Sequence, residues 1–98
     1  MRLEPFEVEA IRHAARHAFG EEAVVRLFGS RVDDERRGGD IDLHIETEPE
    51  IDEWRARGAF EQRLFARIEE QRVDVIVRRR GAPLAGIDQI AHRDGVIL

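Results

Sequence analysis

Asp40-Ile41-Asp42-Leu43-His44-Ile45-Glu46 alternates apolar and polar side chains over seven residues. Successive side chains of an extended chain point to opposite faces. The stretch therefore reads as a half-buried strand, with Ile41, Leu43 and Ile45 on the buried face and Asp40, Asp42 and His44 on the other. Two carboxylates side by side repel unless a cation lies between them. Hard oxygen donors suit Mg²⁺, which takes one or two protein carboxylates and fills its shell with water and substrate phosphate. Taken alone, Asp-x-Asp is more simply a solvated strand face, and its neighbours have to decide.

Upstream, Ala23-Val24-Val25-Arg26-Leu27-Phe28 is a β-rich run that stops at Gly29. Gly29-Ser30 then sits at a strand-to-helix corner. Glycine lets the backbone turn tightly and a phosphate come close, and the Ser30 hydroxyl and the following amides can donate to phosphate oxygens. The same dipeptide also serves as an ordinary turn. Arg31 could reach phosphate or face solvent. Ser30 to Gly39 is polar, with a short helical turn and then a loop closed by Gly38-Gly39 that carries Arg36 and Arg37. Pro5 to Phe19 reads as an amphipathic helix: Val8, Ile11, Ala15 and Ala18 fall on one stripe, Pro5 is tolerated in the first turn, and Gly20 can end it.

Downstream, Glu48-Pro49-Glu50 breaks the chain and Asp52 is a candidate N-cap for a helix towards Glu70. Trp54, Phe60, Leu64 and Ile68 are its expected buried residues, and Gly58 weakens its middle, leaving one helix or two pieces. Arg72 to Val77 is a third strand, with Val73, Val75 and Val77 on one side and Asp74 and Ile76 on the other. Aspartate is disfavoured mid-strand. If this strand lies beside the second, Asp74 completes a three-carboxylate cluster of the kind that clamps two metal ions in phosphoryl transfer. On an exposed edge it would be a salt-bridge partner. Leu84 to His92 forms a last helix, and Val96-Ile97-Leu98 an apolar tail. This order predicts a single α/β (α+β) domain, a small three-stranded mixed sheet with helices packed on one face and Asp40, Asp42 and Asp74 on the other.

Composition fits one small domain: 98 residues, 42% hydrophobic and 38% charged, net charge −5. The acidic balance argues against a generic nucleic-acid binder, and no direct nucleic-acid binding is expected. All sixteen basic residues are arginine. Without cysteine there is no disulfide, thiolate metal site or cysteine nucleophile. No apolar run approaches the ~20 residues of a membrane span, and Met1 to Glu9 lacks a signal-peptide core, so a soluble cytoplasmic protein is expected. His13 and His17 share a helix face, as a metal pair or a solvated flank. His44 lines the cleft or the surface. Arg78-Arg79-Arg80 reads as a solvated strand end, with contact to RNA or an acidic partner as the alternative.

Leu27-Phe28-Gly29-Ser30-Arg31, followed after Gly39 by Asp40-Ile41-Asp42-Leu43, resembles the signature of the DNA polymerase β-like nucleotidyltransferase superfamily. In particular it resembles the minimal nucleotidyltransferase (MNT) group, whose members act as antitoxins beside HEPN-domain toxins. The resemblance implies that fold, with Gly29 and Ser30 at the triphosphate, where Arg31 is a further candidate by its position, and Asp40, Asp42 and Asp74 holding two Mg²⁺. It implies transfer of AMP (or another NMP) from a nucleoside triphosphate, ATP above all, to a hydroxyl of a HEPN ribonuclease, typically a tyrosine. The alternative is a non-catalytic antitoxin of the same fold that neutralises its toxin by binding alone.

Overall fold

The computed structural model describes residues 2–32 and 39–98, without the Ser30 side chain. The loop expected to carry Arg36 and Arg37 lies outside the described residues. Helix α1 spans Pro5–Phe19 and strand β1 Val24–Phe28; a 3₁₀ turn, Gly29–Val32, follows. Strand β2 is Ile41–Thr47, helix α2 Glu53–Phe65, strand β3 Val73–Arg79, helix α3 Gly86–Asp94 and strand β4 Val96–Ile97.

The ends of the helices follow from local chemistry. Pro5 opens α1, where its missing N–H is not needed, and the Glu7 carboxylate accepts from the Glu4 N–H at 2.9 Å. Gly20, with φ 103°, closes the helix. Asp52 caps α2 by accepting from the Arg55 N–H at 3.2 Å.

The strand order is β3-β2-β1-β4. β2 runs parallel to β3 through the α2 crossover, while β1 is antiparallel to both β2 and β4. The core lies between α1, α2 and one face of this mixed sheet. Ile11, Ala14, Ala15 and Phe19 from α1 meet Ala56, Phe60 and Leu64 from α2 over Leu27, Ile41, Leu43 and Ile45. The Phe19 and Phe60 rings pack at 5.8 Å between centroids, and each fully buried Leu, Ile or Phe contributes about 1.5–3 kcal/mol of transfer free energy.

Four expectations need correction. The sheet has four strands rather than three, because the apolar tail pairs with β1 through Arg26↔Ile97 and Leu27↔Val96. The helices do not all pack on one face: α1 and α2 cover the apolar side, whereas α3 packs on the opposite side through Asp88, which contacts His44. α2, of the two forms left open, is one helix through Gly58, but it stops at Phe65 rather than running towards Glu70, with Ile68 buried beyond its end as expected. Trp54, expected inside, is 86% exposed. Ala56, Phe60 and Leu64 form the buried stripe, and at 100° per residue Trp54 lies about 200° from Ala56, on the solvent side.

Candidate metal and nucleotide site

β2 is a central strand, and its register places the acidic residues. Asp42 lies opposite Phe28 of β1 on one side and opposite Asp74 of β3 on the other. Asp40 immediately precedes the strand, where the Ile41 N–H donates to the Arg72 carbonyl at 3.3 Å. Because β2 and β3 run in parallel register, side chains paired this way project to the same face. The three aspartates named from sequence thus gather at one end of the sheet, on the face away from α1 and α2.

Arg72 spans the group, its Nε 3.4 Å from Asp40 Oδ2 and 3.5 Å from Asp74 Oδ1. The Asp40 and Asp74 side chains remain 44% and 46% exposed, so a ligand can reach both. Asp42 is held above the usual carboxylate range. Partial burial is the largest cause; the neighbouring charges of Asp74 and Asp40 add to it, and Arg72 offsets only part. One exposed guanidinium thus faces three carboxylates. Oxygen donors in cationic deficit fit Mg²⁺ in kind. Among the described residues, however, no three His, Cys, Asp or Glu side chains already form a group able to hold a metal ion. With Arg72 bridging Asp40 and Asp74, cation binding requires this exposed side chain to swing away.

Gly29 begins the turn after β1 with φ 76°, in the left-handed region that favours glycine. A Cβ at this position would overlap Asp42 Oδ2 and lie 3.2 Å from Asp42 Cγ. The glycine is therefore what lets the bend and the aspartate share this corner. Ser30 follows in the 3₁₀ turn. Arg31 is committed within the protein: it donates to the Gly39 carbonyl at 3.2 Å, the Arg2 carbonyl at 2.9 Å and Gln71 Oε1 at 3.4 Å. It ties the N-terminal segment, the start of the β2 approach and the β3 approach together.

Sequence reasoning missed a second polar group on the same face. His44 is fully buried, and its Nε2 lies 2.7 Å from Asp88 Oδ1 of α3. Asp88 Oδ2 also accepts from the Ala85 N–H at 2.8 Å, which anchors the first turn of α3. His92 Nε2 reaches Glu46 Oε1 at 2.8 Å, and Arg26 donates to the same oxygen at 2.7 Å. The His44 and His92 rings meet edge to face at 5.6 Å. Burial alone would push Asp88 and Glu46 upward, but hydrogen bonds from His44 and Arg26 respectively, with nearby positive charge, leave both below the ordinary range. The available signal was the alternation itself, which puts His44 and Glu46 on the face shared with Asp42; their partners are distant in sequence.

No protein-family model and no curated protein matches the chain. The described helices include none long and apolar enough to cross a membrane.

Proposed function

We propose that the chain is an Mg²⁺-dependent nucleotidyltransferase of the MNT type. It would transfer AMP, or another NMP, from a nucleoside triphosphate to a hydroxyl of a partner protein. The observation that supports this best is the Asp42–Asp74 pairing, with Asp40 one step before the strand and Gly29 pressed against Asp42. Further weight comes from the raised Asp42, disfavoured as a carboxylate first by partial burial and then by the charges of Asp74 and Asp40, which Arg72 only partly offsets.

Asp40, Asp42 and Asp74 would hold the metal, which supplies positive charge to the triphosphate and to the pyrophosphate leaving group. The turn at Gly29 and Ser30 brings backbone amides towards the phosphates. Arg31 positions that turn from behind. The acceptor oxygen attacks the α-phosphorus and forms the new O–P bond. The bond from the α-phosphorus to the oxygen bridging to the β-phosphate breaks, and pyrophosphate leaves with the electron pair. The hydroxyl proton passes to the Asp74 carboxylate and on to water. Following the sequence resemblance, the acceptor is a HEPN ribonuclease toxin and the chain its antitoxin.

The test is intact-mass spectrometry of a HEPN partner after incubation with this chain and Mg-ATP. A mass gain of one or more AMP units, absent with Asp42→Asn and Asp74→Asn, is the expected result. An unchanged mass would sink the transferase reading.

One observation favours a second reading. The Arg72 bridge lies between two of the three carboxylates. If it persists with nucleotide present, the chain is a non-catalytic antitoxin that neutralises by binding, and both aspartate variants would still silence the partner.

A further inference from the structure

On the helical side of the molecule, α1 and the segment after α2 border a cleft of about 410 Å³. None of its lining residues belongs to the carboxylate corner. Arg12 and Arg16 of α1 and Arg67 line it, and Arg63 of α2 donates to His17 Nε2 at its rim at 2.9 Å. Four guanidiniums thus converge in a chain whose net charge is −5. Their counter-charge is small: Glu9 lies 3.4 Å from Arg12, and Glu21 also borders the cleft. Arg16 and Arg67 are exposed and have no carboxylate partner among the described residues.

His13 sits within this group. Its Nε2 is buried and has no hydrogen-bond partner. Its pKa is held below the ordinary value, first by desolvation and then by the charges of Arg67, Arg63 and His17. A buried, unpaired ring nitrogen set among these guanidiniums, its charged form opposed first by desolvation and then by their charges, fits a site short of negative charge. Guanidiniums bind phosphate oxygens through paired N–H groups, and the volume is in the range of small-ligand sites.

We propose that this cleft binds the oligophosphate group of a small ligand, such as pyrophosphate, tripolyphosphate or the phosphate tail of a nucleotide, with Arg16 and Arg67 as its principal contacts. The site is separate from the proposed catalytic corner and does not depend on it.

Calorimetric titration of the full chain with pyrophosphate in metal-free, low-salt buffer tests the proposal, because without metal the carboxylate corner repels the ligand. Saturable binding is expected, weakened about tenfold or more by Arg16→Gln or Arg67→Gln. Both side chains are exposed, so these variants should keep the wild-type melting temperature. Asp42→Asn should leave binding intact. In NMR titrations, the His13 ring pKa should rise on binding as phosphate offsets the arginine charges. ATP binding more tightly than pyrophosphate would identify a nucleotide as the source; equal binding would identify the phosphate chain alone. Absence of saturation, equal binding of sulfate, binding of single-stranded RNA but not of pyrophosphate, or loss with Asp42→Asn but not with Arg67→Gln would each overturn the proposal.

Discussion

Gly29 and Asp42 constrain one another, and two substitutions separate their roles. Gly29→Ala forces a side chain into positive φ and onto the Asp42 carboxylate. The backbone strain alone costs about 1–2 kcal/mol, so urea denaturation should show at least that loss; a change within a few tenths would refute the close approach. Asp42→Asn should act in the other direction. A carboxylate whose folded pKa is raised contributes stability that is full below its unfolded pKa and lost as pH rises through the folded value. At neutral pH its ionisation therefore opposes folding. The metal-free asparagine variant should melt above wild type at pH 7, and the difference should vanish as pH falls below the ordinary aspartate range. A variant that melts below wild type at pH 7 would show that the Asp42 charge is already compensated.

Helix α3 is held by its polar contacts more than by apolar burial, since Leu84, Ile87 and Ile90 are exposed and Asp88 and Ala91 are its buried residues. Asp88 has two tasks, binding His44 across the sheet and the Ala85 N–H at the helix start. Removing Asp88 leaves the buried His44 Nε2 and the Ala85 N–H without their acceptor, so Asp88→Ala should destabilise by about 1–3 kcal/mol in denaturant titrations. Asp88→Asn, which keeps an acceptor, should lose less. Because Asp88 and Glu46 are depressed, their stabilisation is present above the unfolded carboxylate pKa and lost as pH falls through the folded values. Acid should therefore weaken this side of the sheet, and hydrogen-exchange protection factors in α3, which correct for the pH dependence of intrinsic exchange, should fall with decreasing pH. At this scale the sequence is legible where the cause is local. Pro5 and Gly20 bound α1, Asp52 caps α2, and the Ile41-Leu43-Ile45 alternation gives β2 its faces. It is illegible where the cause is a distant partner. Two residues, Val96 and Ile97, become a strand by pairing with the edge of β1, and His44 is buried beneath Asp88 and His92 of α3. Trp54 departs from its expected burial for a local reason: about 200° around the helix from Ala56, it falls on the solvent side.

At the scale of the molecule, the sheet order sets the division of labour. With β2 flanked by β1 and β3, its Asp42 has the Gly29 turn on one side and Asp74 on the other. An Asp-x-Asp motif shows that pairing in sequence only if the strand neighbours are already known, which is why Asp74 could be suggested but not placed. The same arrangement makes ligand linkage a direct test of the corner. A ligand that binds only the folded state stabilises it by RT ln(1 + [L]/Kd), about 2.7 kcal/mol at a hundredfold excess over Kd. For a domain of this size each kcal/mol moves Tm by roughly 4–8 °C. With Arg16→Gln and Arg67→Gln in place to silence the α1 cleft, Mg-ATP at that excess should therefore raise the melting temperature by roughly 11–22 °C, whereas adding Asp42→Asn or Asp74→Asn should remove most of the shift. Arg72→Ala should shift the Mg²⁺ midpoint to lower concentration, because the guanidinium now bridging Asp40 and Asp74 competes with the cation. Circular dichroism is the appropriate probe, since Trp54, the sole tryptophan, is already solvent-exposed and its emission should change little on unfolding. If Mg-ATP fails to stabilise the chain whose cleft arginines are replaced, or stabilises its aspartate variants equally, the carboxylates do not form a metal–nucleotide site.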